Sequence, residues 1–135
     1  MFSLLGEHFI AILVIAIVNM LVGFLWYHPS AFGKVWLEAH GFSMDGLKAA
    51  PKDYGMAFAV AFVVSWVMGG LFNHFGVDSI VDGWYTMFWV WLGFVATTQF
   101  SGVIWAKKPI MAYAVDIAYA FVAFMVMGTL WAIVL

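Results

Sequence analysis

Long apolar runs alternate with short polar connections along this chain. The first run, residues 9–27, is interrupted by the polar residue Asn19, and roughly 19 residues at 1.5 Å each cross about 28 Å of hydrocarbon. Three further runs of similar length follow, at 54–75, 84–105 and 109–134. The pattern predicts an all-α integral membrane protein, a four-transmembrane-helix bundle in which residues 1–135 form a single transmembrane domain.

The connection after the first run is long enough to hold structure of its own. Pro29 ends the first helix, and four apolar residues then recur at helical spacing before Gly41, namely Phe32, Val35, Trp36 and Ala39. This spacing predicts a short amphipathic helix between the first and second spans, lying in the membrane interface.

Composition supports lipid as the main solvent of the chain. Hydrophobic residues make up 67% and charged residues 9% of the sequence, and the mean hydropathy of +1.05 lies outside the range of soluble domains. The basic residues are all lysines and the net charge is −2, so nothing favours a nucleic-acid partner. The absence of cysteine excludes disulfides, thiol catalysis and Cys-type zinc sites.

Charge is distributed unequally between the two faces that four spans create. One face carries every lysine, whereas the other carries both termini, Glu7, Asp78 and Asp82; the lysines are Lys34, Lys48, Lys52, Lys107 and Lys108. The positive-inside rule therefore predicts cytoplasmic lysine-bearing loops and termini on the outside. The first run has no basic segment before it, which favours a retained span over a cleaved signal peptide.

Asp116 is an ionisable residue inside the fourth apolar run, where it must be paired, wetted or protonated. Counting 1.5 Å per residue from the lysine face places Asn19, Thr98 and Asp116 about 10–12 Å deep. We predict that Asn19, Asp116 and either Thr97 or Thr98 hydrogen-bond across the bundle. The other polar side chains at or near this depth are Gln99, Tyr113 and Tyr119.

Two interpretations of this polar layer remain open. It can be structural, with interhelical bonds that fix the register of the helices and contribute about 0.6 kcal/mol each. It can instead be a candidate binding site for an ion, a proton or a small solute, with Asp116 as the charge. Tyr113 and Tyr119 stand three residues before and after Asp116, so both reach its side of the helix.

Small residues recur on each predicted span at the spacing that brings membrane helices close together. We predict that these stripes form the helix-packing faces. They comprise Ala16, Asn19 and Gly23 on the first span; Ala57, Ala61, Ser65 and Gly69 on the second; Gly93, Thr97 and Ser101 on the third; and Ala112, Asp116 and Ala120 on the fourth.

Catalytic and metal motifs are missing from the sequence. Topology separates His28 and His40 from His8 and His74, so neither pair supplies the three or four ligands that zinc requires. No Ser-His-Asp order and no phosphate-binding glycine loop occurs. We expect neither an enzyme nor a bound cofactor or metal.

Two stretches of the chain resemble a known bacterial family. The first is 23–36, which contains the interfacial residues Trp26, Tyr27, His28, Pro29, Gly33, Lys34 and Trp36. The second comprises 93–98, Lys108-Pro109 and 116–119. Both are similar to the family called domain of unknown function 1761. The resemblance implies a small four-span protein of a bacterial inner membrane, with no assigned activity.

We therefore expect a non-catalytic scaffold or accessory subunit that binds membrane lipid or a larger membrane protein. The alternative is a homo-oligomeric transporter or channel with a cytoplasm-facing polar site around Asp116. Small multidrug transporters are a poor analogy, because they work as oppositely oriented protomers with weak charge bias, whereas the lysines here favour one orientation. Anchoring alone also accounts for the interfacial aromatic residues.

Overall fold

A computed structural model describes residues 2–43 and 49–135. Lys48, one of the lysines of the predicted cytoplasmic loops, lies outside the described residues. The α-helices of the described residues are α1 (Phe2–Glu7), α2 (Phe9–Trp26), α3 (Lys34–His40), α4 (Pro51–Phe75), α5 (Ile80–Trp91), α6 (Thr97–Trp105) and α7 (Ile110–Val134).

Four helical spans are long and apolar enough to cross a membrane, which confirms the predicted fold class. They are α2, α4, α7 and a third span, Ile80–Trp105, in which a π-helical turn at Leu92–Ala96 joins α5 to α6. One end of the bundle, here called the lysine end, carries Lys34, Lys52, Lys107 and Lys108. The opposite end carries both termini and is called the termini end.

Two spans begin earlier than the hydrophobic pattern predicts, because polar residues cap them. Helix α4 starts at Pro51, whose missing N–H is not needed in a first turn. The carboxylate of Asp53 accepts a hydrogen bond from the Ala50 N–H at 2.8 Å. Helix α5 starts at Ile80, and the hydroxyl of Ser79 accepts from the Asp82 N–H at 3.1 Å.

A kinked turn at Pro29–Gly33 connects α2 to the predicted interfacial helix, α3. The kink lies at Ala31, whose backbone is not helical. A Cβ atom on Gly33 would overlap the carbonyl oxygen of Tyr27, so only glycine fits this turn. Leu37 of α3 is buried against the bundle, whereas Val35 of α3 and Phe32 of the preceding turn are exposed.

Helix α7 lies at the centre of the bundle and packs against α2, α3 and α5, while α4 packs mainly against α2. The apolar core lies toward the termini end. Trp131 is fully buried there, and a Cβ atom on Gly69 of α4 would lie 2.6 Å from its ring. The largest buried core side chains include Ile12, Met68, Phe72, Met87, Met127 and Trp131.

The predicted small-residue faces are only partly found in the structure. On α4, Ala61, Ser65 and Gly69 are buried, and the Ser65 hydroxyl donates to the carbonyl oxygen of Ile12 at 2.9 Å. On α7, Ala112 and Ala120 are buried. Gly23 lies beside Tyr119, whose hydroxyl would be 3.3 Å from an added Cβ. Ala57 is exposed.

The predicted packing face of the third span is wrong. Gly93, Thr97 and Ser101 are all exposed. The face turned toward the bundle instead holds four other residues, Gly83, Met87, Trp91 and Ala96, of which Trp91 is half-buried and the others are buried. Trp91 and Ala96 are five residues apart, whereas the other neighbours on this face are four apart, because the π-helical turn adds a residue. A constant spacing of four residues therefore does not follow this face.

Candidate functional site

Asp116 lies at the lysine end in a cluster that neutralises its charge. The Nζ of Lys108 forms an ion pair with Oδ2 of Asp116, and the Tyr27 hydroxyl donates to Oδ1 at 2.5 Å. The side chains of Lys108 and Asp116 are 26% and 17% exposed. Burial, and then the hydrogen bond to Asp116, raises the pKa of Tyr27, so its phenol stays protonated and donates.

A second polar contact continues this cluster toward the centre of the bundle. The ring of Tyr119 lies 5.4 Å from the ring of Tyr27, measured between centroids. The Tyr119 hydroxyl donates to Oδ1 of Asn19 at 2.9 Å, which links α7 to α2. We call the five residues Asn19, Tyr27, Lys108, Asp116 and Tyr119 the polar clasp, because they join the lysine-end halves of α2 and α7.

The interfacial residues of the sequence surround this clasp. The indole N–H of Trp26 donates to the carbonyl oxygen of Val115 at 3.1 Å. Its ring stacks on Phe32 at 4.3 Å. Trp36 of α3 lies edge-on to Tyr27, with ring centroids 6.0 Å apart. These contacts hold the kinked turn and α3 against α7.

His28 and Pro29, two more of the interfacial residues, act within the kinked turn itself. Nδ1 of His28 accepts a hydrogen bond from the Ser30 N–H at 3.1 Å, and Pro29 occupies the first position of the turn. Lys34 is exposed. Residues 23–36 thus turn the chain after α2 and bring Trp26 and Tyr27 into contact with α7.

The predicted hydrogen bonds of Thr97 and Thr98 to Asn19 or Asp116 are wrong. Both hydroxyls donate to carbonyl oxygens of their own helix, at 2.7 Å to Gly93 and 2.6 Å to Phe94. Both threonines are exposed, and Gln99 is half-buried on the same helix. Asn19 and Asp116 do not bond each other either: Asn19 accepts from Tyr119, and Asp116 accepts from Tyr27 and Lys108. Depth along the membrane carried no information on the direction in which each side chain points.

Tyr113 makes a different connection from the one that its position beside Asp116 predicts. Its hydroxyl donates to the carbonyl oxygen of Ala96 at 2.6 Å, in the π-helical turn of the third span. The carbonyl groups of a π-helical turn are displaced from regular α-helical bonding, which makes them available as acceptors. Tyr113 therefore fastens the third span to α7 and is separate from the polar clasp.

Lys108 and Tyr27 are the members of the clasp that the predicted polar layer did not include. Lys107 adopts a left-handed conformation with φ of 59°, and the Lys108 N–H then bonds the carbonyl oxygen of Gly102 at 3.0 Å. This reversal directs Lys108 back to α7. A readable signal existed, because Cβ atoms tilt toward the amino end of a helix, and Asp116 therefore leans toward the lysine that precedes α7.

A groove of about 320 Å³ opens beside the clasp, between α2 and α4. Three clasp residues line it, Asn19, Tyr27 and Tyr119, and the remaining lining is apolar, including Ala57 and Val60. No group of three or more His, Asp or Glu residues suited to a metal lies together in the part of the chain that the structure describes. The arrangement offers hydrogen bonding in an apolar setting.

Comparison with known proteins gives a family and no assigned activity. Searches of curated proteins and of solved structures gave no match. The sequence profile of a family described as "Protein of unknown function (DUF1761)" matches residues 10–132, which is most of the chain. The match includes all four spans almost completely, the interfacial turn and every residue of the polar clasp. The chain belongs to the DUF1761 family.

Proposed function

We propose that this protein is a non-catalytic membrane scaffold or accessory subunit that binds a membrane-protein partner along its third span. The observation that carries the proposal is the sparse packing of that span. The buried share of the most apolar stretch is 11% in the third span, compared with 33% in α4. Helix α6 has no buried residue.

The exposed side of the third span suits close contact with another helix. Thr97 and Ser101 lie on it four residues apart in α6, and Gly93 in the π-helical turn is also exposed, where an added Cβ would meet nothing within 4 Å. Small residues at this spacing let two helix backbones approach closely in lipid, where packing and hydrogen bonds drive association. A second copy of the chain or a larger membrane protein would meet this face.

The state of Asp116 supports a non-catalytic role. A catalytic or ion-coupling carboxylate needs access to its substrate, whereas both oxygens of Asp116 are engaged by Lys108 and Tyr27. We propose further that the lysine end is cytoplasmic in a bacterial inner membrane, with both termini outside, which the lysine distribution supports.

Thiol cross-linking tests the partner surface directly, because the chain has no cysteine of its own. Thr97→Cys places a thiol on the exposed face of the third span, and Leu21→Cys is a control on the exposed side of α2 at similar depth. With a maleimide-linked benzophenone on each thiol, which on illumination inserts into C–H bonds of a neighbouring protein in native membranes, we expect an adduct from Thr97→Cys and none from Leu21→Cys. Mass spectrometry identifies the partner as a second copy or another protein. Equal cross-linking at both positions, or none at either, contradicts the proposal.

A second function has one observation in its favour. Asn19, Tyr27 and Tyr119 line a groove beside Asp116, as a homo-oligomeric transporter with a polar site at the lysine end requires. Asp116→Asn keeps the shape and hydrogen bonding of the side chain but removes its charge. A transporter coupled to a proton or cation through Asp116 would lose transport in this variant while still assembling. The scaffold proposal predicts that partner cross-linking through Thr97→Cys persists.

A further inference from the structure

The side chain of Asn19 has an unpaired hydrogen-bond donor at membrane depth. Its Oδ1 accepts from Tyr119, but its amide nitrogen has no hydrogen-bond partner among residues 2–43 and 49–135. In the described residues, the side-chain atoms that are buried without a hydrogen-bond partner are Trp36 Nε1, His40 Nε2 and Trp131 Nε1. The amide nitrogen of Asn19 is not one of these buried atoms. The amide nitrogen therefore reaches accessible surface, and the cavity that Asn19 lines is the groove between α2 and α4.

An unpaired amide is expensive in this position. Two spans flank the groove, and hydrocarbon offers no acceptor, so an amide N–H there loses its hydration without gaining a partner. The polar clasp fixes the amide in place, because Tyr119 holds its oxygen. A ligand that brings an acceptor to the nitrogen recovers this cost, and a hydrocarbon chain does not.

The lining of the groove restricts the chemistry of such a ligand. None of the lining residues is charged, since Asp116 and Lys108 pair outside it. The apolar part of the wall includes Met20, Phe24 and Ala61. Volumes near 320 Å³ lie at the lower end of small-molecule sites. The ligand is therefore uncharged and mostly apolar, with an acceptor on a compact head.

We propose that the groove between α2 and α4 binds an uncharged lipid-soluble molecule whose carbonyl head accepts a hydrogen bond from the Asn19 amide. A carbonyl fits better than a hydroxyl, because it needs only donors and the free group here is a donor. The apolar tail lies along Ala57 and Val60. The site is independent of the partner surface, which lies on the third span.

Selective labelling gives a direct test, because Asn19 and Asn73 are the asparagines of the chain. The full chain is labelled with side-chain ¹⁵N-asparagine and placed in phosphatidylcholine nanodiscs. Decyl-1,4-benzoquinone is the carbonyl probe and decylbenzene is the matched compound without carbonyls; the absence of cysteine prevents thiol addition to the quinone. We expect the quinone to shift the Asn19 amide resonances saturably. Asn73, at the termini end, should not respond.

Two alanines of α4 provide the matched variants. Ala57 lines the groove and Ala59 does not, although both are exposed. Ala57→Phe fills the groove and should weaken quinone binding at least tenfold, while Ala59→Phe should bind like the natural chain. An unchanged Asn73 signal reports that each variant is folded. If Ala57→Phe does not fold, Met20→Phe fills the groove from the opposite wall.

Three results would overturn the proposal. Equal shifts of Asn19 with decylbenzene would mean that any hydrocarbon fills the groove. No shift with the quinone would mean that the amide is satisfied in another way, for example by water. Undiminished binding to Ala57→Phe, or to Met20→Phe where that variant replaces it, would place the quinone elsewhere.

Discussion

The two ends of the bundle are held together by different forces. At the termini end, large apolar side chains fill the space between helices, and Phe72, Met127 and Trp131 are fully or almost fully buried. At the lysine end, α6 has no buried residue and a groove separates α2 from α4. Polar contacts, above all the clasp around Asp116, connect the helices there.

This difference assigns stability and recognition to different parts of the molecule. A densely packed apolar core tolerates little change of shape. An open region needs a few strong polar contacts to fix its geometry, and these leave surface free for a partner or a small molecule. Asp116 therefore belongs to the support of the open end, and the adjoining surfaces are the candidates for binding.

The largest predicted effect concerns two glycines of α4, one at each end. Gly69→Ala places a Cβ 2.6 Å from the Trp131 ring and 2.8 Å from Leu4, and overpacking of this kind costs about 1–3 kcal/mol. Gly55→Ala meets nothing within 4 Å and should stabilise the helix by about 0.5–1 kcal/mol. Unfolding in detergent–SDS mixtures measures both. Equal effects would contradict the contrast between the ends.

Removal of the Asp116 carboxylate should come next in size. Asp116→Ala leaves the Lys108 ammonium and the Tyr27 hydroxyl without their partner, and unsatisfied groups of this kind cost about 1–3 kcal/mol. The control is Asp78→Ala, because Asp78 is exposed and has no ion pair in the described part of the chain. The free energy of unfolding should fall for Asp116→Ala and stay unchanged for Asp78→Ala. A neutral effect of Asp116→Ala would mean that the clasp does not stabilise the lysine end.

The smallest predicted effects on unfolding concern two serines, one buried and one exposed. Ser65→Ala removes a buried hydrogen bond to the Ile12 carbonyl and should cost about 0.6 kcal/mol. Ser101→Ala changes an exposed residue of α6 and should leave the unfolding of the isolated chain unchanged. A loss of partner cross-linking in Ser101→Ala would support the proposed surface. Destabilisation of the isolated chain by Ser101→Ala would show that α6 packs within the chain.

The four spans were predictable because hydropathy is a local property of the sequence. A fixed rise per residue placed Asn19, Thr98 and Asp116 at one level, but the three do not bond one another. The side of each helix that faces the bundle was harder to predict from the sequence. The residues of the third span that face the bundle, Gly83, Met87, Trp91 and Ala96, differ from its small polar residues, so neither small-residue spacing nor depth predicted that Thr97 and Thr98 face outward.

The hydrophobic pattern of the sequence also did not predict contacts that depend on a reversal of the chain. Lys108 meets Asp116 because Lys107 takes a left-handed conformation, which lysine seldom adopts. Tyr27 reaches the same carboxylate from a helix far away in sequence. Sequence spacing relates residues on one helix, whereas the clasp joins two helices and a loop.

A double-mutant cycle of Asp116→Asn and Lys108→Gln measures whether Asp116 holds the open end of the bundle as the partner of Lys108. Coupled residues show interaction energies of about 0.5–3 kcal/mol, and we predict about 1–2 kcal/mol for this pair from unfolding in detergent–SDS mixtures. Single-variant effects that simply add, to within about 0.3 kcal/mol, would contradict the account.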